Sequence, residues 1–418
     1  MTRELLTGNS AAAWGARLAD IDYVPAYPIT PQTEIIEALA AWIGRGDMRG
    51  RMVTMDSEHS MLTAAGAAAA TGARVFSASS SQGLLYAMEM LYTIAGWRVP
   101  LVLVNVSRAL SAPITLEPDH NDVLAARDTG FLQIHTESCQ EVLDSILLGY
   151  RLAEHPDVLL PVMVNLDGFY LSFTREPVEI PEWNAVREFL PPYEPAHARF
   201  SASHAMAQGV AVLGASAYAF FKYQMQRAAE AAQTVHETIA GEFCARFGRC
   251  YGAVEGYRLD DADFVIVMSN SFSTVAKAEV ARLRERGLKI GLLRLRLIRP
   301  FPHQELAWLL SGRRAVAVID QNISIGKGGV FFAEVASALH GSQAPPLLSF
   351  IGGLGGRRFR SEEFDQIADA LCVAAGEGGS AEPRLLFTAT EYAQIGDLLR
   401  IAHHEIGNGG VPLPRAGS

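Results

Sequence analysis

Residues 101–108 read LVLVNVSR, a run of apolar side chains broken only by Asn105 and closed by a hydroxyl and a guanidinium. The stretch 101–106 is only strand length, and a strand with so little polar alternation is buried on both faces, as in a parallel sheet covered by helices. Upstream, 74–78 reads as a second strand and 82–94 as the helix between the two. Before these come a strand at 52–55 and an Ala/Gly-rich buried helix over 59–71. Earlier still, DYVPAY (22–27) runs into a proline-bounded turn, 28–31, and a helix over 32–42. Downstream, a helix near 140–154 leads to a strand at 162–165.

Strands alternating with helices give an α/β fold, a parallel sheet with helices on both faces, and ligands in such sheets sit beyond the carboxyl ends of the strands. Polar turns follow four of these strands: Ile29-Thr30, Asp56-Ser57-Glu58, Ser79-Ser80-Ser81 and Ser107-Arg108. The topology gathers them on one rim, where chemistry is expected. A second, smaller α/β unit starts at Asp263, with strands at 264–268, 289–293, 315–319 and 347–351, helices over 273–286 and 303–310, and a glycine turn at 326–329. Between the units, 177–195 carries five prolines and reads as a strap, and a helix is expected over 223–243. The expected organisation is therefore 1–176, a connector over 177–258, a second domain over 259–375 and a C-terminal extension over 376–418, loosely ordered beyond 407.

A chain of 418 residues is too long for one ordinary core, so about two or three domains are expected. A formal net charge of −10 argues against nucleic acid, whose binders present a basic face. No stretch approaches the roughly 20 uncharged apolar residues of a membrane span, and MTRELLTGNSAAAW lacks an apolar leader core, so no membrane association is expected. Cys139, Cys244, Cys250 and Cys372 form no CxxC pair. They suggest neither an iron–sulfur site nor a disulfide framework, and a reduced, cytoplasmic setting fits.

The rim segments, taken in order, carry a resemblance. YPITPQT (27–33), MDSE (55–58), SQGLL (81–85), NVSRALSAP (105–113), DHNDVLAARDTGF (119–131), DGF (167–169), RPFP (299–302) and DQNISIGKGG (320–329) resemble the α-subunit of the pyruvate:ferredoxin oxidoreductase, or 2-oxoacid:acceptor oxidoreductase, superfamily. The resemblance covers nearly all of residues 1–370. It implies a pyrimidine domain of the thiamine-diphosphate-binding type and a second domain like the transketolase C-terminal one. It implies thiamine-dependent oxidative decarboxylation of a 2-oxoacid, pyruvate or an aromatic one such as phenylglyoxylate, to acyl-CoA and CO2.

Within that resemblance, Glu58 matches the glutamate that binds the aminopyrimidine ring, the catalytic position. Between a strand and an apolar helix it would be desolvated; by position alone it reads more readily as an exposed carboxylate favoured by a helix N-terminus. Arg108 matches the arginine that takes the substrate carboxylate, a task suited to its two-pronged fork. Its other reading is a structural salt bridge to Glu117 or Asp119. Thr30 matches a substrate-contacting threonine, or else caps the following helix. Ile29 would line the pocket, Pro28, Ser81 and Gln82 would border the cofactor, and Gly83 would permit close approach. The glycine turn at 326–329 invites a phosphate cradle but lacks the required spacing.

What is missing points to partners. Thiamine enzymes of this kind anchor the diphosphate through a metal held by a GDG motif, and here Gly46-Asp47 and Gly396-Asp397 are followed by Met48 and Leu398. The resemblance therefore implies thiamine diphosphate shared with a β-subunit that supplies the Mg2+ and diphosphate site. It also implies a γ-type subunit, a ferredoxin-like subunit carrying the iron–sulfur clusters, an acceptor subunit with NAD or flavin where NAD is reduced, and coenzyme A. Residues 110–120 (LSAPITLEPDH) bring no basic side chain for a second substrate carboxylate, against 2-oxoglutarate. A non-catalytic scaffold subunit and a transketolase-like transferase are the competing readings.

Overall fold

Val102, Val104 and Val106 enter one apolar cluster and Leu103 another, so their strand is covered on both faces. The computed structural model describes residues 2–195, 200–203, 205–209, 211–341 and 344–406, and the stretch after 407, read above as loosely ordered, lies outside these. After β1 (Thr2–Thr7) the first domain lays down β2 (Tyr23–Ala26), β3 (Arg51–Thr54), β4 (Phe76–Ser79), β5 (Val102–Ser107), β6 (Leu132–His135) and β7 (Val162–Asp167). β6, β7, β5 and β4 are parallel neighbours in that order, β2 pairs in parallel with β3, and a bridge between Tyr23 and Val75 sets β2 beside β4.

The proline-rich strap is more structured than its sequence suggests. β8 (Arg175–Ile180) pairs antiparallel with β1, and a helix spans Trp183–Phe189. Its prolines stand at Pro177, inside an edge ribbon, and outside the helix, where a missing N–H costs little. The helix expected over 223–243 spans Ala215–Phe247. Gly248, in the left-handed region at φ 72°, ends it and folds the chain back, pairing Cys244 with Cys250 in a disulfide. The expectation of no cysteine pairing fails here.

The second domain takes β9 (Val254–Tyr257), β10 (Phe264–Ser269), β11 (Ile290–Leu295), β13 (Ala315–Asp320), β14 (Leu347–Ile351) and β15 (Ser380–Leu385) into one sheet, ordered β15-β14-β13-β10-β11-β9, with only β9 antiparallel. β9 comes from the expected connector, and β15 carries the sheet beyond residue 375. β12 (Leu297–Arg299) returns to the first domain and pairs antiparallel with β6. One apolar cluster continues across both domains, joining Leu103 and Met163 to Val265, Val267 and Leu293, so the two sheets share a core.

An ionic cluster sits at the same boundary. Glu141, on the helix Cys139–Ala153, accepts from Arg294 Nη2 at 2.8 Å and from Arg296 Nε, and Glu255 takes further bonds from both arginines. Burial opposes ionisation of Glu141, but the two guanidiniums outweigh it and hold its pKa down to about 2. A carboxyl depressed in the folded state contributes stability above its ordinary pKa and loses it as pH falls towards the folded value. Breaking a buried ionic group by removing one partner costs about 3–5 kcal/mol. Glu141→Gln is therefore expected to lower the melting temperature at pH 7 clearly and at pH 3 much less, as read by calorimetry. An equal loss at both pH values would deny the ionised carboxylate this role.

Candidate functional site

Arg108 follows β5 at the carboxyl end of the first sheet and is 7 % exposed. Its guanidinium donates from Nη1 to the Thr30 carbonyl at 2.7 Å and from Nη2 to Gln82 Oε1 at 2.9 Å. Nε is buried and, among the described residues, donates to nothing. Among the described residues no carboxylate reaches it within ion-pair distance, so the salt bridge to Glu117 or Asp119 is not formed; Asp119 instead accepts from the Asn121 N–H. Burial lowers the Arg108 pKa, against the through-space pull of Asp122 and Glu58. A guanidinium this buried, half satisfied by neutral oxygens and, among the described residues, in contact with no carboxylate, can receive an anion.

Gln82 fixes one side of that fork. Its Oε1 lies 2.6 Å from the Ser81 hydroxyl as well, and its Nε2 donates to Ser111 Oγ at 2.9 Å. The turn before Gln82 is unusual: Ser81 has φ 51°, a left-handed conformation for a residue with a side chain. Among the described residues, the hydroxyls of Ser79 and Ser80 are buried beside it without hydrogen-bond partners, and the helix that follows starts without a side-chain cap.

Glu58 opens the helix Glu58–Ala70, which Ser57 caps by accepting from Ser60 N at 3.1 Å. Glu58 is 8 % exposed and its carboxylate lies against Gly83, where a Cβ would run into Oε1, so Gly83 lets it lie there. It makes no hydrogen bond or ion pair among the described residues. An exposed carboxylate at a helix end is not what the fold provides. Thr30 offers its carbonyl to Arg108, while its hydroxyl caps nothing, since the next helix begins at Thr33 without a side-chain cap. Pro28 is exposed and Ile29 half-buried on the same turn, and neither hydrogen-bonds to Arg108 or Glu58. Thus Glu58, Ser81, Gln82, Arg108 and the Thr30 backbone converge, and Pro28 and Ile29 stand at the edge.

Two contributors escaped the sequence reading. Gly168 packs so close to the Ser107 carbonyl and Pro31 that any side chain would collide with both, which locks the two site turns together. Asp122, completely buried, accepts from the backbone N–H groups of Ser81 and Arg108. Its place in DHNDVLAARDTGF was visible, but nothing local distinguishes it from a helix-capping aspartate.

The glycine turn proves closed to phosphate. The N–H groups of Val330, Phe331 and Phe332 already donate to Asn322 Oδ1, Asp320 Oδ1 and Asp320 Oδ2 at 3.3, 2.6 and 3.1 Å, so a protein carboxylate sits where an anion would bind. Burial pushes the Asp320 pKa up to about 7 against those two donors. A groove of about 960 Å³ lies elsewhere, between the loop Arg127–Leu132, the helix Ala215–Phe247 and the RPFP turn. Charges of both signs line it, Arg127, Asp128, Lys222, Arg299 and Glu334 among them, and it touches neither Glu58 nor Arg108. Arg127 and Asp128, neighbours in the DHNDVLAARDTGF stretch, make a loose 3.7 Å contact in that groove.

The family profile for pyruvate flavodoxin/ferredoxin oxidoreductase, thiamine diphosphate-binding, matches residues 14–240, and that for pyruvate:ferredoxin oxidoreductase core domain II matches 262–364. Pyruvate synthase subunit PorA of Methanocaldococcus jannaschii is 44 % identical over 367 residues, 87 % of this chain and 93 % of that protein. PorA of Thermotoga maritima is 42 % identical over 86 % and 92 % of the two chains. Ketoisovalerate oxidoreductase subunit VorA of Pyrococcus abyssi is 40 % identical over 88 % and 93 %. Two solved structures share the fold. One is 2-oxoglutarate:ferredoxin oxidoreductase from Magnetococcus marinus, with a TM-score of 0.69 and 18 % identity over 88 % of this chain and 65 % of that one, just under two thirds of its length. The other is a split-gene transketolase, with a TM-score of 0.50 and 12 % identity over 88 % and 96 %. The identity and extent of these matches establish that the chain belongs to the pyruvate flavodoxin/ferredoxin oxidoreductase family.

Proposed function

We propose that this chain is the α-subunit of a CoA-acylating 2-oxoacid oxidoreductase, holding the substrate carboxylate on Arg108 and the aminopyrimidine of thiamine diphosphate on Glu58. The single observation that carries this is Arg108 itself, nine-tenths buried, with a free Nε and, among the described residues, no carboxylate within ion-pair distance of its guanidinium. The residues present fit the cofactor: Glu58 is a buried carboxylate with no hydrogen-bond partner, pressed on a glycine, and two orphaned hydroxyls, Ser79 and Ser80, lie close by in sequence to that glycine. When bound, thiamine diphosphate supplies the carbon nucleophile that makes decarboxylation of a 2-oxoacid feasible. Glu58 would donate a hydrogen bond to a ring nitrogen or take its proton. Gln82 and the Thr30 carbonyl hold the plane of the Arg108 fork before substrate arrives, so little ordering remains to be done on binding.

With no GDG motif in this sequence, the diphosphate and its Mg2+ would be held by a partner β-subunit, and electrons would leave through iron–sulfur clusters on partner chains to ferredoxin or NAD. Residues 109–118 contain no Lys or Arg, and Ile114 and Leu116 are exposed there. This supports a monocarboxylic substrate, pyruvate or an aromatic 2-oxoacid such as phenylglyoxylate, over 2-oxoglutarate. The test is to purify the assembled complex, identify its chains by mass spectrometry and measure iron. CoA-dependent CO2 release is then compared for pyruvate, 2-oxoisovalerate, phenylglyoxylate and 2-oxoglutarate. A GDG-bearing partner, iron and turnover of a monocarboxylic acid are expected. A cluster-free homodimer that transfers two-carbon units would overturn the proposal.

A further inference from the structure

Asp122 stands at the junction of the Ser81–Gln82 turn and the strand end that carries Arg108, two of the segments that shape the fork. Its Oδ2 accepts from Ser81 N at 3.0 Å, Asn105 Nδ2 at 3.1 Å and Arg108 N at 3.2 Å. Its Oδ1 accepts from Ser107 Oγ at 2.9 Å and Val123 N at 2.7 Å. Asn105 and Ser107 are tied in turn to Asn165 Oδ1, at 2.8 and 2.9 Å, on the neighbouring strand β7. The carboxylate is fully buried and, among the described residues, pairs with no cation at contact distance.

One oxygen therefore bonds the backbone on both sides of the fork. Ser81 sits in a left-handed conformation that costs a residue with a side chain on the order of 1–3 kcal/mol unless its surroundings hold it. Its N–H on Asp122 supplies such a hold, and the next residue, Gln82, takes Arg108 Nη2. The Arg108 backbone hangs on the same Oδ2, so the offset between the glutamine amide and the guanidinium is set by a single atom. We infer that Asp122 is the positioning residue of this site, fixing the Ser81–Gln82 turn against Arg108 so that the fork faces the substrate carboxylate. The inference rests on Arg108 as the carboxylate-binding cation.

Asp122→Asn keeps the shape but turns one acceptor into a donor. With the NH2 in the Oδ2 position it confronts three donors and the clamp opens; in the Oδ1 position it opposes the Val123 N–H, and in either orientation the clamp loses the negative charge at which the Ser81 and Arg108 N–H groups point. In the assembled complex, with pyruvate and phenylglyoxylate as probes, Asp122→Asn is expected to raise KM about tenfold or more, on the scale of one charge-assisted hydrogen bond. The C2-proton exchange of bound thiamine, which reads Glu58, should stay near the wild-type rate. The deciding measurement is coupling: Asp122→Asn, which alone raises KM about tenfold, should add no more than about threefold in the Arg108→Ala background, because both changes remove one contact. A merely structural Asp122 would lower the melting temperature and leave the two KM effects multiplicative, and that outcome overturns the inference. If Asp122→Asn does not assemble, Ser107→Ala removes one of its donors and the same cycle decides. Should Arg108→Ala itself leave KM unchanged, the functional proposal fails, whatever Asp122 does.

Discussion

Replacing Glu58 by glutamine in the assembled complex is expected to reduce turnover roughly 10²- to 10⁴-fold, the range over which a positioned acid–base group acts. The variant keeps volume and shape, so the contact with Gly83 and the helix cap at Ser57 are undisturbed. What it removes is the exchangeable proton of the carboxyl. Among the described residues Glu58 has no hydrogen-bond or ion-pair partner, so no internal ion pair is lost and a stability effect is not the cause. The loss is therefore expected in kcat, with the KM for the 2-oxoacid moved little. C2-proton exchange of bound thiamine should fall in step with turnover. Normal exchange in the variant would remove Glu58 from the cofactor.

Arg108→Ala should do the reverse, raising KM roughly 30- to 1000-fold while thiamine still binds. A buried charge-assisted contact to a carboxylate is worth about 2–4 kcal/mol, and each 1.4 kcal/mol is a factor of ten. Arg108→Lys is expected between wild type and Ala, since an ammonium keeps the charge but cannot reach the Thr30 carbonyl, Gln82 and a carboxylate in one plane. The paired results separate the two sites of binding: a carboxylate lost in one variant, a proton lost in the other. An unchanged KM in Arg108→Ala would place the substrate elsewhere, and the large groove near Arg299 would be the next region to examine.

Much of the architecture was readable from local pattern. The strand at 347–351 and the helix at 303–310 lie where their apolar spacing puts them, and β5 was visible because five of the six residues at 101–106 are apolar. Elements whose burial depends on distant partners were missed. The helix Gly8–Leu18 packs an alanine-rich face on the helix Cys139–Ala153, and alanine gives little amphipathic signal. β6 reads LQIH, with two polar residues that are buried only because Gln133 donates to the Val123 carbonyl and His135 meets Ser269 of the other domain. β12 reaches the first sheet from within the second domain, a crossing no window of sequence reports.

The sequence by itself determined the two parallel sheets, the rim on which their turns converge, and the residue types able to hold a carboxylate and an aminopyrimidine. It left Arg108 balanced between substrate and salt bridge, and Glu58 between a cofactor and solvent. Those choices depend on which groups lie within about 3 Å of a side chain and whether water reaches it, which folding across scores of residues decides. Asp122, fully visible in the sequence, acquires its role only when Ser81 and Arg108, 41 and 14 residues before it in the chain, deliver their N–H groups to one oxygen.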